Sequence, residues 1–220
     1  MKDHYLLISI EGIDQTGKTG IVAAIEDELR RHSLRAVTVH DPPDLRPWDK
    51  VSENLLDKDT DLSPVGEAFL YLAARLDGVQ RYIRPFLAED SFVIADRYVD
   101  SWVAYHAHRL AAPLGTIERA VEFLTDIHAR ASKAGLLPFP RRTWLVRDDP
   151  ETALRRKRGD RSKWERLETQ RKVAEVYDVL VRREPKRFKI VDARGRRLDE
   201  VQKDGVAQVV DYCLRASNST

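Results

Sequence analysis

Gly12-Ile13-Asp14-Gln15-Thr16-Gly17-Lys18-Thr19 satisfies the pattern G-x-x-x-x-G-K-[ST]. An apolar run, Tyr5–Ile10, leads into it, and Gly20 followed by the helical pattern Ile21-Val22-Ala23-Ala24-Ile25 leads out. In that strand–loop–helix setting the glycines let successive backbone N–H groups turn inward. They form an anion nest at a helix N-terminus, where the helix dipole also favours negative charge. Residues 12–20 are therefore the expected phosphate cradle. Lys18 is placed to reach the β- and γ-phosphates of a triphosphate, and the Thr19 hydroxyl to ligate Mg²⁺.

Outward from this loop, short apolar runs alternate with longer helical patterns. Tyr5–Ile10, Arg35–His40, Phe92–Ala95, Thr143–Val146 and Phe188–Val191 read as five strands of a parallel sheet covered on both faces. The expected fold is thus a three-layer α/β/α P-loop domain. The most regular helix runs from Pro64 to Ala88, opened by Ser63-Pro64 in N-cap and N1 order. Phe69, Leu72, Leu76, Val79 and Ile83 recur at steps of three and four, which predicts a core stripe. Tyr71 and Arg75, an i, i+4 pair, are expected on one flank beside it.

Composition bounds the rest. The chain has 220 residues, with 38 Lys and Arg against 36 Asp and Glu, a formal charge of +2. That size suits one domain, and that balance implies no nucleic-acid or membrane-surface field. No apolar run approaches the ~18 residues of a membrane span. The single cysteine, Cys213, excludes an intrachain disulfide, a CxxC pair and a cysteine-rich zinc site. No signal-peptide pattern stands at the N-terminus, so a cytoplasmic location is expected. His106 and His108 are two apart, the wrong spacing for one helical face, and do not predict a metal site. A GTPase-type switch is disfavoured: NKxD is absent, and the DxxG at Asp192–Gly195 follows the last strand.

The third strand ends in Asp96-Arg97-Tyr98, at the carboxyl edge where open α/β sheets bind ligands. Asp96 is placed to hold Mg²⁺, directly or through water, and Arg97 to take a phosphate in its fork.

With these residues in place, the chain resembles the thymidylate kinase family of P-loop nucleoside monophosphate kinases from Leu6 to about Val210. Five matches carry the resemblance: the loop Gly12–Thr19 with its internal Asp14; Tyr71-Leu-Ala-Ala-Arg75; Asp96-Arg97-Tyr98-Val-Asp-Ser101 with Ala104-Tyr105; Gly135-Leu-Leu-Pro138; and Val191-Asp192-Ala193. The resemblance implies transfer of the γ-phosphoryl group of ATP, with Mg²⁺, to dTMP. It implies that Tyr71 stacks on thymine, that Arg75 bonds the base's carbonyl edge, that Arg97 binds the acceptor 5′-phosphate, and that Asp14 contacts the 3′-hydroxyl. Ser101 and Tyr105 would line the base and sugar pocket, and Tyr98 and His40 complete the expected acceptor-binding set. A short helical lid at about 155–166 is implied, with Arg155, Arg158, Arg161 and Lys163 matching its cations. Position 15 is Gln rather than Arg, so the catalytic arginine is expected in the lid, at Arg158 or Arg161. A homodimer packed through helices is implied as well.

An acceptor phosphate is mostly dianionic at neutral pH, so no general base is required. Lys18, Mg²⁺, Arg97 and a lid arginine would offset the repulsion between two anions. Three positions depart from the family pattern. His40-Asp41-Pro42 stands where the family has Arg-Glu-Pro, which predicts monophosphate binding that improves at lower pH if His40 touches the phosphate. Phe139-Pro140 follows Gly135–Pro138 in place of Asp, and Arg147 replaces an Asp near the end of the fourth strand. A kinase for another nucleoside monophosphate or a nucleoside, and a non-catalytic nucleotide-binding regulator, stay open at this point.

Overall fold

The computed structural model describes residues 6–41, 48, 50–51, 62–156 and 164–218. Its strands are β1 (Leu7–Glu11), β2 (Ala36–His40), β3 (Phe92–Asp96), β4 (Arg142–Arg147) and β5 (Phe188–Asp192). They form one sheet in the order β2-β3-β1-β4-β5, and every neighbouring pair is parallel. The helices are α1 (Lys18–Arg31), α2 (Pro64–Gly78), α3 (Arg84–Ala88), α4 (Val99–Leu114), α5 (Ile117–Lys133), α6 (Pro150–Arg155), α7 (Leu167–Arg183) and α8 (Leu198–Ser217). α1 packs on α8, while α4 packs on α5 and α7, so the sheet is the middle of three layers. β1 is buried at every position, as a strand with helices on both faces must be.

This order puts β1 between β3 and β4, so the loops after all three strands meet at one edge. The phosphate loop leaves β1 there, and Asp96-Arg97 leaves β3 beside it. Ile10 is in register with Asp96, which brings the two loops level.

The predicted helix from Pro64 to Ala88 is present, with the Ser63 hydroxyl accepting the Gly66 N–H at 3.1 Å and Pro64 in the first turn. It is interrupted by a π-helical turn, Val79–Ile83, where the Arg84 N–H bonds the Val79 carbonyl. Pro85 supplies the reason: lacking an N–H, it cannot continue the i→i−4 ladder, and the widened turn absorbs the defect.

Two expectations for this helix are corrected. Phe69 is 43% exposed, so the buried face runs through Ala68, Leu72, Arg75 and Val79 instead. Arg75 is therefore not a flank residue. It is 3% exposed and lies in the core-facing row.

Candidate active site

The phosphate loop is shaped by three residues in left-handed backbone. Gly12 (φ 142°) presses against β4, where a Cβ would meet the Val146 carbonyl oxygen at 2.5 Å. Gln15 (φ 65°) turns the middle of the loop, and Gly17 (φ 94°) caps α1. Lys18 is buried, and its Nζ donates to the Ile13 carbonyl at 2.5 Å. Burial first, and the Arg97 charge second, pull its ammonium down to about 7. Thr16 Oγ1 also donates to Ile13, at 3.2 Å, while Thr19 stands exposed in the first turn of α1 beside Gly20.

Across from this loop, Arg97 adopts φ 68°, an uncommon conformation for a residue with a Cβ. Its Nη1 donates to the Gly12 carbonyl at 3.0 Å and to Ser101 Oγ at 3.2 Å, and its Nη2 pairs with Asp14. The guanidinium lies 5.1 Å from the Tyr105 ring centroid. Asp14 is also gripped from α7: Gln170 Oε1 accepts the Asp14 N–H at 2.9 Å, and Gln170 Nε2 donates to Asp14 Oδ2 at 2.7 Å. Asp14, Arg97, Ser101 and Tyr105 are thus one bonded cluster facing the phosphate loop.

A second group adjoins it. Arg75 donates through Nε to Asp41 Oδ2 at 2.8 Å and through Nη2 to the Tyr98 carbonyl at 3.2 Å. Its guanidinium sits between aromatic rings, 5.2 Å from Tyr98 and 5.5 Å from Trp102. Tyr71 is half-buried, its ring edge-on to His106 with centroids 5.2 Å apart, and Trp164 lies against both His106 and Tyr105 at 5.7 Å. His106 bonds the Trp102 carbonyl through Nδ1 at 2.8 Å, and burial pushes its imidazole down to about 3. It is therefore neutral at physiological pH.

Not every expected residue joins these groups. Tyr98 is fully enclosed, with its hydroxyl bonded to the Pro138 carbonyl at 3.0 Å, so it supports Arg75 from behind. His40 is exposed at the end of the edge strand, and it is Asp41 that turns inward. Arg158, Arg161 and Lys163 lie outside the described residues, and Arg155 is exposed at the end of α6. The next residue, Arg156, reaches the phosphate loop: its Nη1 donates to the Gln15 carbonyl at 3.0 Å and to Asp148 Oδ2 at 2.5 Å. Arg147 pairs with Asp178 on α7 at 2.6 Å, and Phe139 packs on His128 at 4.3 Å, so both departures from the family pattern support the scaffold.

Asp41, Arg156, Gln170 and Glu11 escape a reading of the sequence as site residues. Glu11, the last residue of β1, precedes Gly12 by one position. Burial and then Asp100 push its carboxyl up to about 7, against hydrogen bonds from Ser101 and Tyr177.

Among the described residues no group of three or more His, Cys, Asp and Glu is arranged to hold a metal. The donor set fits Mg²⁺ all the same, since that ion takes one or two protein oxygens and completes its shell with phosphate and water. Thr19 and the half-buried Asp96 are the oxygens that would serve. The described residues also contain no helix long and apolar enough to cross a membrane.

A glycine-turned loop with a buried lysine and a separate arginine fork share one sheet edge, with an aromatic cluster alongside. That arrangement defines a P-loop enzyme of the nucleotide-kinase class. The thymidylate kinase family profile matches residues 10–204. A thymidylate kinase of Symbiobacterium thermophilum is 37% identical over 215 residues, covering 95% of this chain and 94% of the relative. A probable thymidylate kinase of Methanosarcina acetivorans is 31% identical over 211 residues, covering 95% and 97%. The solved structure of thymidylate kinase from Candida albicans superposes with a TM-score of 0.75 at 25% identity, over 94% of this chain and 92% of that one. This chain belongs to the thymidylate kinase family.

Proposed function

We propose that the protein phosphorylates dTMP to dTDP with Mg-ATP as donor, with the acceptor phosphate on Arg97 and the donor phosphates on residues 12–20. The observation that carries this reading is the Arg97 fork: held by Gly12, Asp14 and Ser101, it is close enough to the buried Lys18 for the two charges to act on one another. Lys18 regains its full charge beside a polyphosphate and, with Arg97, offsets the repulsion between donor and acceptor. Mg²⁺, held by Thr19 and Asp96, would supply further positive charge at the phosphates. Asp14, fixed by Gln170, is aimed at the sugar, while Ser101 and Tyr105 flank it. Arg75 offers guanidinium N–H groups to a base carbonyl. Tyr71 supplies the aromatic surface beside it.

The lid at about 155–166 brings Arg158 or Arg161 to the transferred group and excludes water as a competing acceptor. Arg156 anchors its root to Gln15. The protein acts in the cytoplasm as a homodimer, an assembly that the exposed Val65, Phe69 and Leu70 of α2 support.

ADP release measured with Mg-ATP against dTMP, dUMP, UMP, CMP, dCMP, AMP, GMP and thymidine tests the reading. Turnover on dTMP above the other acceptors is expected. Faster turnover on another acceptor would replace the substrate while keeping the mechanism, and silence across the panel with ATP bound would reject catalysis.

A further inference from the structure

Glu11 is a fully buried carboxylate at the join between β1 and the phosphate loop. Burying such a group is costly unless donors meet its lone pairs. Three do so, each from a different part of the fold: the Tyr98 backbone N–H at 2.8 Å, the Tyr177 hydroxyl of α7 at 3.1 Å, and the Ser101 hydroxyl of α4. Its neighbour Asp100 is differently served, bonded twice by Arg187 at 2.6 and 2.7 Å and once by Thr143 at 2.8 Å. Among the described residues, Glu11 makes no direct ion pair.

The bonds around Glu11 lead to Arg97 by two routes. A guanidinium only donates, so Ser101 Oγ accepts from Arg97 Nη1 and its own proton is free to point at Glu11, which accepts it. The second route is backbone. The left-handed turn at Arg97 is pinned on both sides by β1: the Arg97 N–H donates to the Ile10 carbonyl at 3.1 Å, and the Tyr98 N–H donates to Glu11.

We propose that Glu11 is a positioning residue for phosphoryl transfer: it aims the Arg97 guanidinium through the Ser101 hydroxyl and fixes the Arg97 turn through the Tyr98 amide. The proposal rests on the assignment of Arg97 to the acceptor phosphate.

A double-mutant cycle of Glu11→Gln and Arg97→Lys, read as kcat and KM for dTMP and for ATP, tests it. Glutamine keeps the shape but places a donor where Ser101 and Tyr177 need an acceptor. The single Glu11→Gln variant is expected to lose about 10- to 100-fold in kcat/KM for dTMP, with KM for ATP within about 2-fold. Because lysine has no fork to aim, the same change in the Arg97→Lys background should cost less than about 2-fold. A full penalty in both backgrounds would show that Glu11 acts independently of Arg97 and overturn the proposal. Wild-type kinetics for Arg97→Lys would instead remove the assignment of Arg97, and the proposal with it. Ser101→Ala run through the same cycle gives the answer if Glu11→Gln does not fold: a penalty that vanishes in the Arg97→Lys background supports the relay, and one that persists overturns it.

Discussion

Asp41 and Arg75 form a buried ion pair, with side chains 7% and 3% exposed, that joins the end of β2 to the last turn of α2. Asp41→Asn is expected to leave the guanidinium without its counter-charge and to cost about 3–5 kcal/mol. The same variant should raise KM for dTMP more than KM for ATP, as the proposed contact of Arg75 with the base requires. Chemical denaturation and steady-state kinetics check the two parts, and an unchanged midpoint would contradict the first.

Lys18→Ala should lower kcat about 10²-fold or more, as loss of other preorganised charge-stabilising groups does. Its buried position predicts little compensation from a neighbouring cation. Single-turnover transfer from γ-labelled ATP measures the step directly, and a loss below about 5-fold would argue against contact with the transferred group.

Gly12→Ala places a methyl group 2.5 Å from the Val146 carbonyl oxygen and forces a side chain into φ 142°. The strain, roughly 1–3 kcal/mol, falls on the loop itself. Nucleotide affinity should collapse with a smaller change in melting temperature. Equal ATP affinity in the variant would mean that the loop is not the cradle.

Both bonds of Arg156 leave from Nη1 at the tip of its side chain, so Arg156→Lys keeps a charge but, being shorter, withdraws the donor from the Gln15 carbonyl and Asp148. We expect about a 10-fold fall in kcat/KM for ATP, with KM for dTMP unaltered. Effects confined to the acceptor would place Arg156 elsewhere in the cycle.

His128 is fully buried, and neither ring nitrogen has a hydrogen-bond partner among the described residues. Burial, followed by the Arg75 charge, pushes its imidazole down to about 3. The unfolded chain titrates near ~6.5, so below that pH the unfolded state binds the extra proton, and stability falls as pH drops from 6.5 toward 3. At pH 5 this amounts to about 2 kcal/mol. His128→Leu should flatten the acid limb between pH 7 and 5 by that amount in urea melts, and an acid limb parallel to wild type would refute the assignment.

How far the sequence can be read depends on the range of the interaction. The strand–loop–helix at residues 7–31, the Ser63-Pro64 helix start and the Asp96-Arg97 strand end are local, and each is legible from spacing. Asp41 with Arg75, Gln170 with Asp14, and Glu11 with Tyr177 join residues 34, 156 and 166 positions apart, and no periodicity announces them. Phe69 is misplaced because the stripe drawn through it shares Leu72 and Val79 with the buried one, Ala68, Leu72, Arg75 and Val79, and spacing does not rank an alanine and a paired arginine above a phenylalanine. Arg156 is inconspicuous because it stands in a run of cations whose partners are set only by the folded loop.

The π turn at Val79–Ile83 has a consequence for how the chain can vary. By resetting the angular phase between Gly78 and Arg84, it makes one long helix into two segments with independent facing rules. The first segment sets Arg75 against Asp41 and between the Tyr98 and Trp102 rings, with Tyr71 beside it, while Ile83 and Leu87, beyond the reset, pack into the core. A residue deleted from the π turn would rotate Ile83 and Leu87 relative to Arg75, so the turn is what lets one chain satisfy both the ion pair at Asp41 and the core beneath α3.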